Sequence, residues 1–133
     1  MITGRWVVQG GDLTAALEVR NSVFGLGRDD KDDTAQSVVV YTAQGMPAGT
    51  ARLCYEDGAF VIDRVCVNKS LRHQGYGDLL MRLLLYKAQS HFAKTLRLTP
   101  TEDTRTFFAK YGFTGDAGDM TLIGEQINLG CGH

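Results

Sequence analysis

Proline is scarce. Two prolines in 133 residues leave most turns to the 16 glycines. No run of Lys and Arg stands out, and the formal net charge is −1. A general electrostatic attraction to nucleic acid is therefore not expected. No apolar run is long enough to span a bilayer. The first residues lack the order of basic, apolar and small residues that marks a secretory signal, so no membrane association and a cytoplasmic location are the expectation. Cysteine is also sparse: Cys54, Cys66 and Cys131 are odd in number and far apart. That excludes a disulfide framework and gives no zinc-cluster spacing. Cys54 and Cys66 stand within apolar strand patterns and read as small core residues. Cys131 and His133 form a pair at best, read as a frayed terminus, and no metal is expected.

What is present suits one domain spanning 1–133. The chain is 44% hydrophobic, enough for a core at this length. Thr3 to Gln9, with Trp6, Val7 and Val8, reads as a short strand closed by Gly10-Gly11. Asp12 is a plausible N-cap for a helix from Leu13 to Phe24, which Gly25 and Gly27 end. Then comes the densest charge run, Arg28-Asp29-Asp30-Lys31-Asp32-Asp33. It reads either as a solvated loop or frayed short helix, or as one wall of a pocket for a cationic acceptor, its carboxylates favouring an amine. Strands follow at Gln36–Ala43, Ala48–Tyr55 and Ala59–Val67. The last is nearly continuously apolar and is expected to be central and covered on both faces. Asp63 and Arg64 interrupt it, and buried charge is costly unless paired.

The stretch that organises the chain is Val65 to Leu80. It reads as a strand that stops, a polar loop, and a helix that begins on Gly75-x-Gly77. A glycine turn at a helix start aims several unpaired N–H groups one way, and the helix dipole adds positive charge there. That combination suits a phosphate or pyrophosphate. The helix runs to about Phe92, with Leu79, Leu80, Leu83, Leu84 and Lys87 in one stripe. Lys94–Leu98 is a short strand, parallel to Ala59–Val67 if the helix between them is a right-handed crossover. Thr101 is the expected N-cap of a short helix carrying Phe107, Phe108 and Tyr111 and ending at Gly112. Phe113-Thr114 and Met120–Ile123 are expected to close the sheet as a strand pair.

Arg72-x-x-Gly75-x-Gly77 after an apolar strand resembles the pyrophosphate motif of the Gcn5-related N-acetyltransferases, the GNAT family. Phe107-Phe108-Ala109-Lys110-Tyr111-Gly112-Phe113 is similar to the family's C-terminal motif, and Val19–Phe24 followed by Gly49–Leu53 fits more weakly. Helix one and the acidic loop resemble the ElaA-like branch of small bacterial members. The resemblance implies an α/β (α+β) fold in a single domain. Its central sheet would be mixed and mostly antiparallel, with a splayed parallel strand pair and about four helices. It implies acetyl-CoA as co-substrate and a small-molecule or peptide amine as acceptor, and it admits a homodimer.

The coenzyme's pyrophosphate would rest on Arg72, His73, Gln74, Gly75, Tyr76, Gly77 and Asp78. Its pantetheine arm would run along Val65, Cys66 and Val67, where a backbone N–H would polarise the thioester carbonyl. In the family a tyrosine that protonates the departing thiolate is frequent where Phe108 stands. A phenyl ring donates no proton, though it can pack against the coenzyme. Tyr111 is then either a substitute acid or a core residue. Asp63 is either the general base or a structural partner of Arg64 or Arg52. A covalent acyl-Cys66 is disfavoured, because Cys66 alternates away from Val65 and Val67. Neither His73 nor His91 suits a base: one belongs to the phosphate loop, the other to a helix end. An acyl-CoA-binding regulator with little transfer is the rival reading.

Overall fold

The computed structural model describes residues 2–8, 10–115 and 118–127. Gln9 and the pair Cys131 and His133 lie outside them. The elements are β1 (Thr3–Val7), α1 (Thr14–Phe24), β2 (Gln36–Tyr41), β3 (Pro47–Glu56), β4 (Ala59–Val67), α2 (Tyr76–Ser90), β5 (Thr95–Leu98), α3 (Arg105–Ala109) and β6 (Met120–Ile123). The strands form one six-stranded sheet in chain order, β1-β2-β3-β4-β5-β6. Every neighbouring pair is antiparallel except β4–β5, which is parallel and joined through α2.

Strand pairing sorts the side chains onto two faces. Ser37 pairs with Arg52 and Val39 with Thr50, while Val38 pairs with Ala51 and Val40 with Gly49. Arg20 of α1 donates to Ser37 Oγ, so the Ser37/Arg52 face lies under α1. The other face carries α2, which buries Tyr76, Leu80, Met81, Leu84, Leu85 and Ala88 against it. Gly49 lets α2 come close: a Cβ there would stand 2.9 Å from the Cys66 carbonyl oxygen and 3.2 Å from the Leu80 side chain. At the start of α1 the N-cap is Leu13 rather than Asp12, which stands one residue earlier and accepts the Thr14 N–H on Oδ1 at 2.9 Å.

Four further expectations change. β3, not β4, is the strand covered on both faces, with Ala48 to Cys54 buried without a break. On β4 only Ala59, Ile62 and Cys66 are fully buried, because its second half bulges and borders open clefts. Among the described residues three α-helices form rather than about four. The charge run yields a 3-10 turn, Asp30–Asp33, capped by Asp29. Phe113-Thr114 makes a single bridge, Thr114 to Thr121, and no strand. α3 also begins late, since the Thr104 hydroxyl takes the Thr101 N–H and turns the chain before the helix starts. The helix ends at Ala109, so Tyr111 follows α3 instead of lying within it. Among the described residues, no helix is long and apolar enough to cross a membrane.

Candidate active site

The parallel pair is short. Only Phe60, Val61 and Ile62 of β4 face Leu96, Arg97 and Leu98 of β5. Just beyond, Arg52 pairs with Asp63 but Thr50 with Cys66, so Arg64 and Val65 together oppose Ala51. That extra residue is a β-bulge, and Arg64 adopts φ 52°, a conformation uncommon for a side chain of its size. A bulge bends its strand, and β4 leaves β5 at that point. β5 ends at Leu98 and is followed by Thr99-Pro100, where proline offers no N–H to continue pairing. The exposed edge faces the gap. The Asn68 N–H donates to the Ala48 carbonyl of β3 at 2.8 Å. The trans peptide therefore turns the Val67 carbonyl the other way. There Arg72 Nε donates to it at 3.1 Å.

The loop after β4 ends in two left-handed residues, His73 (φ 64°) and Gly75 (φ 94°), the second being the N-cap of α2. No side chain caps this helix. Its first return bond runs from the Leu79 N–H to the Gly75 carbonyl, 3.1 Å. The N–H groups of Tyr76, Gly77 and Asp78 belong to the first turn and have no acceptor within the helix. The space a Gly75 Cβ would enter is open, with nothing within 4 Å. Together these features make an uncapped cradle of donors with positive helix-end potential. Tyr76 turns its ring into the core, 6% exposed, so it contributes backbone and anchors the turn.

α3 braces this cradle. The Phe107 ring lies 3.4 Å from where a Gly77 Cβ would be. Phe108 is buried and meets Phe107 and Phe113 edge to face, at centroid distances of 5.1 Å and 6.4 Å. The Tyr111 hydroxyl donates to Asp78 Oδ1 at 2.6 Å, and Arg82 Nε donates to Asp78 Oδ2 at 2.8 Å. Burial pushes the Tyr111 phenol up and Asp78 pushes it further. Burial alone would raise the Asp78 carboxyl, but Tyr111 and Arg82 outweigh it and hold it below the ordinary value.

Under α1, on the opposite face of the sheet, lies a charge network of which the sequence suggests only the Asp63–Arg52 pair. Arg20 and Arg52 are buried, at 0% and 1% exposure. Arg20 Nη1 donates to both oxygens of Asp32 at 2.9 and 3.0 Å. Arg52 grips Asp63 through two parallel bonds, Nε to Oδ1 at 2.8 Å and Nη2 to Oδ2 at 2.7 Å. Its Nη1 reaches Asp29 at 2.5 Å and Asp32 at 3.4 Å. Arg64 adds a longer contact to Asp29, 3.3 Å.

The charge run is therefore neither wholly solvated nor a free acidic wall, because Asp29 and Asp32 turn inward to neutralise buried guanidinium groups. The signal was present in the sequence. An arginine within the apolar pattern of a helix and another within an apolar strand must find carboxylates. Arg52 holds the Asp29 carboxyl down to about 2, against some opposition from burial, and Arg64 assists.

Asp63 thus has the structural partner that was one of its two readings. Two of its lone-pair positions are taken, and its side chain remains 26% exposed. It lines a cleft with Asp29, Asp30, Lys31, Arg52 and Arg64. This cleft opens beside the bulge, on the face away from α2. A larger cleft between the ends of β1, α1 and the charge run contains no residue of β4. Cys54 and Cys66 are both buried and unbridged, and burial pushes each thiol up to about 11.

Comparison with known proteins agrees with this arrangement. A family model described as an acetyltransferase (GNAT) domain matches residues 34–115. The Bacillus subtilis N-acetyltransferase YjcF is 29% identical over 85 residues, covering 64% of this chain and 60% of its own length. Less than two thirds of that relative is thus spanned. The structure resembles an acyl-CoA N-acyltransferase from Pseudomonas aeruginosa, with a TM-score of 0.79 at 20% identity over 91% of this chain and 99% of the other. It resembles Escherichia coli ElaA with a TM-score of 0.76 at 21% identity, over 91% and 97%.

Proposed function

The chain belongs to the GNAT acetyltransferase family, and we propose that it transfers an acetyl group from acetyl-CoA to a primary amine by direct transfer in a ternary complex. The observation that carries this reading is the gap where β4 bulges away from β5, set beside the uncapped N-terminus of α2. A pyrophosphate fits the cradle on chemical grounds. Tyr76, Gly77 and Asp78 offer N–H donors, Gly75 leaves the approach open, and Arg72 stands at the rim. His73 shapes the loop through its left-handed backbone, and Gln74 through a side-chain bond from Nε2 to the Ser70 carbonyl. The edge at Val65, Cys66 and Val67 supplies strand-like backbone groups for an extended arm.

Acetyl-CoA, when bound, supplies an activated acetyl thioester. The amine nitrogen bonds to the carbonyl carbon, the carbon–sulfur bond breaks, one proton leaves the nitrogen and one joins the thiolate sulfur. The residues of this chain divide that work. A backbone N–H at the bulged edge polarises the carbonyl oxygen. Asp63 takes the amine's proton, directly or through water, on a lone pair that Arg52 leaves free. Tyr111 clamps α3 to the start of α2, since its hydroxyl is engaged by Asp78. The thiolate is protonated from solvent. Phe108 supports the cradle from the core.

One observation favours a second reading, a coenzyme-binding regulator: a buried phenyl ring stands where an acid is frequent in the family. The two separate in one assay. The protein is incubated with acetyl-CoA and a panel of primary amines, and free thiol is followed. Thiol release that depends on the amine is the expected result. Tight acetyl-CoA binding with no amine-dependent release across the panel would overturn the transferase reading in favour of the regulator.

A further inference from the structure

We propose that the acceptor carries a carboxylate close to its reacting amine, as amino acids do, and that Arg64 receives that carboxylate. The inference rests on the acetyl-transfer reading above and concerns the acceptor side of the same site.

The cleft beside the bulge is lined by three carboxylates, Asp29, Asp30 and Asp63, and three cations, Lys31, Arg52 and Arg64. By count it is neutral. Most of these groups are already satisfied. Arg52 holds Asp63 and Asp29, and Lys31 Nζ lies 2.9 Å from Glu56 Oε1. An acceptor bearing only positive charge would find no surplus of carboxylate there, contrary to what the charge run suggests in sequence.

Two lining groups are left over. Among the described residues Arg64 has one polar contact, a long one from Nη2 to Asp29 Oδ2 at 3.3 Å, while the other oxygen of that carboxylate accepts from Arg52 at 2.5 Å. Its Nε is buried and has no hydrogen-bond partner among the described residues. Its side chain is still 32% exposed, so the guanidinium spans from the interior to the cleft. A guanidinium presents its donors in a fork that matches a carboxylate, and the exposed end of Arg64 offers the cleft the donors that Asp29 does not take. Asp30, on the facing turn, is exposed and makes no side-chain hydrogen bond among the described residues. A ligand with one carboxylate and one ammonium group complements this pair. The placement is also suited to transfer. Arg64 is the bulge residue itself, in the left-handed conformation, and Val65 follows it on the splayed edge. A carboxylate held by Arg64 brings a nearby amine to that edge.

The test uses matched pairs of acceptors: glycine with methylamine, leucine with isopentylamine, phenylalanine with phenethylamine and lysine with cadaverine. kcat/KM is measured for each with acetyl-CoA, and acetyl-CoA affinity is measured separately by calorimetry. At least one amino acid is expected to exceed its decarboxylated partner by ~10-fold or more, the scale of a lost charge-assisted pair. Arg64→Asn, chosen because asparagine tolerates positive φ, should bring that ratio toward one. Arg64→Lys should restore part of it, which also guards against a folding defect in the asparagine variant. Equal or better use of the decarboxylated amines overturns the proposal, as does a ratio unchanged in Arg64→Asn. Turnover of neither member of any pair, with acetyl-CoA still bound, also overturns it and leaves the coenzyme assignment standing. Failure to bind acetyl-CoA at all would instead remove the reading on which the proposal rests.

Discussion

Arg20 and Arg52 have the largest fully buried side chains, and their neighbours follow from that. A guanidinium does not give up its proton, so burial forces carboxylates around it. Asp32 answers this demand from a side chain with 0% exposure, although burial alone would raise its carboxyl. Asp32→Asn leaves two arginines under-compensated in the interior. The expected loss in urea unfolding is about 3 kcal/mol or more, with the native sheet retained by circular dichroism. Asp29 makes a pH-dependent contribution. Its folded value is about 2, below the ordinary 3.8. A depressed carboxyl stabilises the fold fully above its unfolded value and ceases to do so as pH falls through its folded value. The stability contributed by Asp29 is therefore complete above about pH 4 and lost toward pH 2. In acid-unfolding curves Asp29→Asn should flatten that limb and leave the pH dependence above 5 unchanged. Cys66, pushed up to about 11 by burial, should react slowly with iodoacetamide at pH 8 in the native protein and quickly once urea unfolds it.

The element on which the proposed function rests is the junction of β4 and α2. Much of it was legible in the sequence because its signals are local. An apolar strand, a polar loop, two glycines and a leucine stripe all lie within one stretch, and the structure builds a strand, loop and helix there. The strand order around the parallel pair also followed from local pattern and crossover handedness. The bulge was not legible. It depends on which β3 residue meets which β4 residue, a register seen only in the folded sheet, where Arg64 takes a positive φ. The need for carboxylates was legible, and so was the Asp63–Arg52 pair as one alternative, but the other pairings of the charge network were hidden for the same reason. Its bonds join Arg20 to Ser37, Arg52 to Asp29 and Arg64 to Asp29, residues on separate elements that sequence distance does not pair. The misplaced start of α3 came from turn chemistry, the Thr101–Thr104 side-chain bonds, which compete with helix. At this scale, Gly75→Val is the direct test of the cradle. The residue sits at φ 94° with open space before it. A β-branched side chain there costs about 1–3 kcal/mol of backbone strain and fills the approach. Acetyl-CoA affinity should fall by ~10-fold or more in calorimetry, while thermal unfolding remains cooperative.

At the scale of the whole molecule, one sheet separates two chemistries. α2 covers one face, and its start forms the donor-rich cradle. α1 and the charge run cover the other, where paired guanidinium and carboxylate groups line a neutral cleft. The gap between β4 and β5, where parallel pairing stops at Ile62 and Leu98, is where the two sides meet. Backbone groups left unpaired in a sheet are costly unless something completes them. Hydrogen–deuterium exchange, read amide by amide with and without saturating acetyl-CoA, tests this directly. Slowed exchange is expected at the amides of 65–67 and of Tyr76, Gly77 and Asp78, with β1 and β2 unchanged. Protection elsewhere with those amides unaffected, or no protection on demonstrated binding, would contradict the assignment of the coenzyme to this junction.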